Sequence, residues 1–279
     1  KSFNDSAAID VIKLTPAHIH ILEYMNLKSQ NIKCAIVGGE ELTLNQTAVL
    51  KKINPDIKIF NEYGPTEATV GCIVKEVSQD DQILIGAPIA NTQIYILDKH
   101  QNLCPIGVAG EIYIGGKGLA SGYHNRKELT QEKFLDNIFK KGERFYKTGD
   151  LAKWLPDGNI SFIGRIDEQV KIRGYRVELG EVKKAIQDYS FIKDAFVEIK
   201  KDKQLLNTLV AYIVPTKEIA FADLKTFLGK RLPAYMVPEN YVTVDKIRLN
   251  ANGKIDKSSL PDITAGSNKV NSTMLLQKI

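Results

Sequence analysis

The amino-acid sequence predicts an α/β layer with a β-rich subdomain, followed by a smaller α+β domain. Three observations carry that expectation. Between residues 32 and 60 an apolar strand, a helix-period segment and a second apolar strand succeed one another, the order of an α/β layer. From Ile94 onward the chain changes to short strands separated by turn residues. After Arg165 it changes again, to two helical faces and a strand pair with enough apolar residues for their own core. The predicted boundaries are a large domain over 1–166, a small one over 167–262 with Asp167 at the seam, and a polar linker over 263–279.

Each element has a local reason. Thr15 caps a helix whose first position is Pro16, where the missing amide hydrogen costs nothing. Residues 32–37 form an apolar strand ended by Gly38-Gly39, and a helix follows over 43–53. A strand over 57–60 then delivers the loop Asn61-Glu62-Tyr63-Gly64-Pro65-Thr66-Glu67, and ligands gather at such carboxyl ends of strands. Residues 94–97, 111–114 and 159–163 read as strands of a distorted barrel, with turns at Gly115-Gly116 and Pro156-Asp157-Gly158. Downstream, Val182, Ala185, Ile186 and Tyr189 share a helical face, residues 195–199 and 208–214 pair as strands, and Phe221, Leu224 and Leu228 mark a second helix.

Composition excludes several classes. The 279 residues are 43% hydrophobic and 25% charged, with no apolar run long enough to span a bilayer as a helix. The net charge of +5 comes from lysines interleaved with acids, without the basic stripe that nucleic acid requires. Cys34, Cys72 and Cys104 are far apart and lack CxxC spacing, so they read as reduced thiols of a cytoplasmic protein. His18, His20, His100 and His124 have no metal-site spacing.

Four segments carry chemistry. In the Asn61–Glu67 loop, Gly64-Pro65 fixes a tight turn, Tyr63 offers a π-face and Glu67 offers a hard oxygen suited to Mg²⁺; an ordinary surface turn is the alternative. Tyr146-Lys147-Thr148-Gly149-Asp150 ends a short strand on a carboxylate able to accept from two hydroxyls. From Gly164 to Gly180, Val170 and Ile172 alternate with Lys171 and Arg173, a half-buried ribbon with a basic face or a charged edge strand. Asn252-Gly253-Lys254 carries a lysine on a turn. Gly115-Gly116-Lys117-Gly118 lacks the spacing of a phosphate loop and reads as turns between strands. Pro233-Ala234-Tyr235-Met236-Val237-Pro238 reads as packing.

Together and in this order, these segments resemble the adenylation domains of nonribosomal peptide synthetases, over residues 10–261. The resemblance implies the adenylate-forming fold, with the N-terminal half missing. It implies activation of an amino acid with ATP and Mg²⁺, then transfer to a phosphopantetheine thiol supplied by a peptidyl carrier domain among neighbouring synthetase domains. By the same resemblance, Tyr63 stacks on adenine with Phe162 over its other face, Asn61 approaches the adenine amino group, and Thr66 touches the α-phosphate. Glu67 holds magnesium, Asp150 the ribose, and Arg165 ribose or phosphate. Lys254 spans the substrate carboxylate and α-phosphate. Asp167 is the hinge, and Lys171, Arg173 and Gly174 belong to the ribbon that serves the thioester step.

The resemblance also places Lys13, Ile36, Gly38, Glu62, Val70 and Gly71 around the substrate side chain. Gly38 and Gly71 are expected to leave space and Ile36 and Val70 to form walls. A donor at Lys13 and an acceptor at Glu62 suit a carboxamide, so asparagine is the expected substrate; a direct Lys13–Glu62 ion pair is the alternative. The phosphate loop and amine-binding aspartate of the family are expected upstream of Lys1, so the 279-residue chain alone is expected to be inactive. Two other readings stay open: an acyl- or aryl-CoA ligase of the same superfamily, or a remnant that only docks a carrier domain.

Overall fold

A computed structural model of the chain describes residues 9–78, 82–167, 169–201, 207–250 and 255–262. The chain divides into two units, Lys1–Asp167 and Glu168–Ile279. Unit 1 opens with strand β1 (Val11–Leu14), helix α1 (Pro16–Tyr24), β2 (Cys34–Gly38), α2 (Leu44–Ile53) and β3 (Lys58–Tyr63). These three strands are parallel, and β4 (Ile73–Val77) and the short β5 (Ala87–Pro88) extend the sheet in antiparallel fashion, in the order β1-β2-β3-β4-β5.

Both helices start where capping chemistry places them. Pro16 is the first residue of α1, and the Thr15 amide donates to His18 Nδ1 at 3.2 Å. In α2 the Thr43 amide donates to Gln46 Oε1 at 2.9 Å while Gln46 N donates to Thr43 Oγ1, a reciprocal cap. Buried residues from both helices, Ile19, Leu22, Val49, Leu50 and Ile53, share one core with Ile12, Ala35, Val37 and Ile59 on the strands. One face of the parallel sheet is thereby closed.

The β-rich part consists of β6 (Thr92–Leu97), β7 (Gly110–Gly116), helix α3 (Lys127–Lys133), β8 (Phe134–Asp136), β9 (Arg144–Trp154) and β10 (Ile160–Arg165). It is an antiparallel sheet in the order β10-β9-β7-β6, with β8 also paired to β9. Ile94, Ile96, Ile112, Ile114, Ala152 and Ile160 form a core with Tyr63, Cys72 and Ile73 from the first sheet. Two expectations need correction here. Residues 61–63 are the end of β3 rather than a loop, with Asn61 and Glu62 paired on both sides and Tyr63 paired to β4. Thr148–Asp150 lie inside an eleven-residue strand rather than at the end of a short one. Buried polar residues, Asn61 in β3 and Thr148 and Asp150 in β9, masked the length of both strands.

Unit 2 begins with the hairpin β11 (Gln169–Ile172) and β12 (Tyr175–Glu178), followed by α4 (Leu179–Gln187), β13 (Ile192–Lys201), β14 (Asn207–Pro215), α5 (Phe221–Gly229) and β15 (Asn240–Thr243). β13 and β14 pair antiparallel, and β15 joins β14 in parallel. Val182, Ala185 and Ile186 of α4 and Leu224 and Leu228 of α5 pack on Ala195, Val197, Leu209, Ala211 and Ile213. Tyr189 lies past the end of α4 and packs on the same core. The expected linker over 263–279 lies outside the described residues.

Leu224 is fully buried in that core. Leu224→Ala should cost about 2–5 kcal/mol through lost burial and a residual cavity. Native-state hydrogen exchange checks this: amides of β13 and β14 should lose protection, while those of β2 and β3, which belong to a separate core, should keep theirs.

Candidate active site

Side chains alternate across β3. Ile59, Asn61 and Tyr63 point to one side, and Phe60 and Glu62 to the other. Glu62 thus shares a sheet face with Lys13, Ile36 and Gly38: Lys13 is opposite Ile36, and Gly38 opposite Glu62. This is the face away from α1 and α2. Tyr63 turns toward the β-rich layer, so two neighbours in sequence serve two separate regions.

On the Glu62 side, Lys13 Nζ lies 2.6 Å from Glu62 Oε2. The lysine side chain is half exposed and the glutamate largely covered. Methyl groups on Gly38 or Gly71 would crowd Glu62, and at Gly71 the overlap with Oε1 would be severe. The expectation that these glycines leave room for a ligand therefore needs correction. Gly38 accommodates the main-chain oxygen of Glu62 and Gly71 its side chain. Ile36 is half-buried beside them, and Val70 is exposed.

On the Tyr63 side, the phenol donates to Asp150 Oδ2 and Arg165 Nη1 donates to Asp150 Oδ1 at 2.6 Å. Arg165 also grips Asp167 with two bonds, Nε to Oδ1 at 2.7 Å and Nη2 to Oδ2 at 2.8 Å. Burial followed by the Asp150 charge pushes the Tyr63 pKa well up, so its proton stays on the phenol. Burial works against the Arg165 charge, but the hydrogen bonds to Asp167 and the charges of Asp150 and Asp167 outweigh it and raise its pKa.

A bulge aims the Asp150 carboxylate. Lys147 is opposite Tyr113 and Leu151 opposite Glu111, so three residues of β9 face Ile112 alone. Gly149 has φ +77°, and its amide donates to Glu111 Oε1 at 2.9 Å. Thr148 Oγ1 donates to Ile112 O at 2.8 Å and accepts from the Asp150 amide at 3.0 Å. Glu111 is a supporting residue that sequence reasoning missed, because its role depends on a register shift 38 positions away.

Phe162 is exposed beside Tyr63, with ring centroids 6.0 Å apart and planes 42° apart. Two parallel rings holding a third between them need roughly 7 Å, twice the optimal carbon separation. The pair is therefore not a ready-made slot for a base. Asn61 is buried and its amide donates to Leu84 O at 2.8 Å.

The turn after β3 is tightly wound. A methyl on Gly64 would overlap Val70 O, and Thr69 and Val70 both adopt left-handed φ, +59° and +67°. Such a conformation is costly for β-branched residues, and strain of this kind clusters at functional sites. Thr66 is exposed at the start of this turn, while Glu67 is buried and accepts a hydrogen bond from Tyr123 at 2.5 Å. Among the described residues no group of three or more His, Cys, Asp and Glu could hold a metal. One carboxylate fits a magnesium ion that arrives with nucleotide phosphates and keeps waters, rather than a resident ion in a protein cage.

Asp167 is the last residue of unit 1. In unit 2, Lys171 lies on β11, whereas Arg173 and Gly174 form the two-residue turn of the hairpin, with φ +51° and +81°. Arg173 therefore leaves the ribbon face predicted for it and pairs with Glu239 at 2.9 Å. Lys254 lies outside the described residues, between Leu249 and Ile255, which form a β-bridge.

Residues 5–124 match the family described as AMP-binding enzyme, and residues 181–254 match the AMP-binding enzyme C-terminal domain. The chain is 48% identical over 267 residues to bacitracin synthase 3 of Bacillus licheniformis, which covers 94% of this chain and 4% of that protein. It is 44% identical over 258 residues to tyrocidine synthase 3 of Brevibacillus parabrevis, covering 91% of this chain and 4% of that one. The chain thus spans a small part of these relatives' length. Among solved structures it is similar to a holo NRPS protein containing adenylation and PCP domains, with TM-score 0.78 and 28% identity over 89% of this chain and 44% of that one. With two family models in sequence order and relatives of this closeness, the chain belongs to the AMP-binding, adenylate-forming enzymes, among the adenylation domains of nonribosomal peptide synthetases.

Proposed function

We propose that the chain is the carboxyl-terminal part of an adenylation domain that activates an amino acid with ATP and loads it on a carrier-domain thiol in the cytoplasm. The observation that carries this is the convergence of Tyr63, Asp150, Arg165 and Phe162 from β3, β9 and β10. The Asp150 carboxylate would accept from the ribose hydroxyls in place of the Tyr63 and Arg165 donors. Arg165, released from Asp150, is a cation for phosphate, and Tyr63 and Phe162 are aromatic surfaces for adenine once Phe162 swings aside. Asn61 and Thr66 are assigned to the adenine edge and α-phosphate.

The first half-reaction joins the substrate carboxylate oxygen to the α-phosphorus and breaks its bond to the bridging oxygen, which leaves as pyrophosphate. In the second, the thiol sulfur adds to the acyl carbon and AMP departs, the thiol proton passing to solvent. Neither step needs an enzyme nucleophile; positioning and charge stabilisation suffice. Magnesium held through Glu67 would neutralise phosphate charge. Lys254 is assigned to the first half-reaction, the β11–β12 hairpin with Lys171, Arg173 and Gly174 to the second, and Asp167 to the hinge between them.

For the substrate we propose L-asparagine. Its carboxamide oxygen would accept from Lys13 and its NH₂ would donate to Glu62, inserting between two groups now in contact. Glu62 is largely covered, so the pair opens only because the carboxamide returns a hydrogen bond to each partner, while the half-exposed Lys13 keeps contact with solvent. The 2.6 Å contact equally favours a second reading, in which Glu62 is a structural partner of Lys13 and reads nothing.

Two measurements test these proposals. Amino-acid-dependent ATP–pyrophosphate exchange should be absent from the 279-residue chain and present in a longer chain that adds the preceding residues of its protein. Exchange at equal rates in both would overturn the account of the site. In the longer enzyme kcat/KM should favour asparagine over aspartate, and Glu62→Gln should shift that ratio toward aspartate by about tenfold, roughly 1.4 kcal/mol, by removing a like charge. An unchanged ratio selects the structural ion pair, and preference for a large apolar amino acid refutes the pocket.

A further inference from the structure

The segment between β7 and α3, which carries Gly118 and Gly122, lies against the site rather than serving only as a turn. It lies against the turn that carries Glu67. The Ala120 amide donates to Glu67 O at 2.9 Å, and Thr69 Oγ1 donates to Gly118 O at 2.6 Å. Arg144 fastens the segment from β9, with Nη1 on Ser121 O and Nη2 on Ala120 O, both at 3.2 Å. Gly122 has φ +145°, and a methyl there would collide with Thr130. Thr130 Oγ1 accepts from the Tyr123 amide at 2.9 Å. The whole strap is therefore pinned from three directions.

At its end stands Tyr123. The ring packs edge-on against Phe134, with centroids 5.6 Å apart, and the hydroxyl donates to Glu67 Oε1 at 2.5 Å. Tyr146, itself buried, has its hydroxyl 3.4 Å from that of Tyr123. A hydrogen bond to an ionised carboxylate is short and strong, and it fixes which oxygen points where. Losing a partner that orients a metal-binding carboxylate in this way commonly costs about 10- to 100-fold in metal affinity.

We propose that Tyr123 is a positioning residue for Glu67: it occupies Oε1 and turns the other oxygen of the carboxylate toward the magnesium of the bound nucleotide. The inference rests on the reading of Glu67 as the magnesium-binding residue given above. Tyr123 touches neither metal nor substrate, and acts through Glu67 alone.

The test is a binding measurement on the longer enzyme. Affinity for a nonhydrolysable ATP analogue is measured by calorimetry with and without Mg²⁺, for wild type, Tyr123→Phe, Glu67→Gln and the double variant. Tyr123→Phe should lose roughly 10- to 100-fold of the affinity gained from magnesium while its metal-free affinity is unchanged. Its melting temperature should stay within about 4 °C of wild type. In the Glu67→Gln background the tyrosine substitution should have no further effect. An unchanged magnesium gain in Tyr123→Phe, an equal loss without metal, or a collapse of the fold would each overturn the inference. If Glu67→Gln itself keeps the full magnesium gain, the reading of Glu67 fails instead.

Discussion

Asp150 is a carboxylate only 7% exposed, and both of its oxygens are engaged. An ion in that position is tolerable only with partners that return what desolvation removes. Tyr63 and Arg165 are those partners, and meeting them constrains the course of three strands. β3 must run on through residue 63, β9 must bulge at Gly149, and β10 must reach Arg165. Removing either donor leaves a buried charge with one partner fewer, at a cost of several kcal/mol in comparable cases. The same arrangement holds the end of unit 1, because Arg165 grips Asp167 with the other side of its guanidinium.

The alternation of β3 gives this constraint its functional sense. Glu62 and Tyr63 are neighbours in sequence, yet they face opposite sides of the sheet, one beside Lys13 and the other beside Asp150. One strand end thereby presents two separate polar clusters whose groups do not compete. The turn that follows continues the division. Gly71 returns to the Glu62 side chain, while Glu67 is drawn under the strap at Tyr123.

In unit 2 the hairpin is held along its length, where Val170, Ile172 and Val177 join the core, and again at its tip. Tyr175 stacks on Tyr235 with centroids 4.2 Å apart and planes 8° apart, and Arg173 meets Glu239. The Pro233–Pro238 segment, read from sequence as packing, thus packs in part against this hairpin. Pro233 precedes a single 3-10 turn, Ala234–Met236, which buries Met236 and presents Tyr235 to the stack.

Several features were legible in the sequence because they are local. Thr15-Pro16 and Thr43 with Gln46 start helices by their own hydrogen bonding, and the 3.6-residue spacing of Val182, Ala185 and Ile186 marks a buried face wherever the helix packs. The family segments were legible for the same reason, as short strings whose order is fixed by the chain. Tertiary structure alone decided the rest. β15 joins β14 in parallel across the intervening α5, and β9 is interrupted by polar residues that only its neighbours explain. The Glu62 contacts of Gly38 and Gly71, the Glu111 support of Gly149 and the Tyr123 bond to Glu67 each join residues between 9 and 56 positions apart. Such pairs are set by register and by strand bulges, and no periodicity within a single segment encodes them.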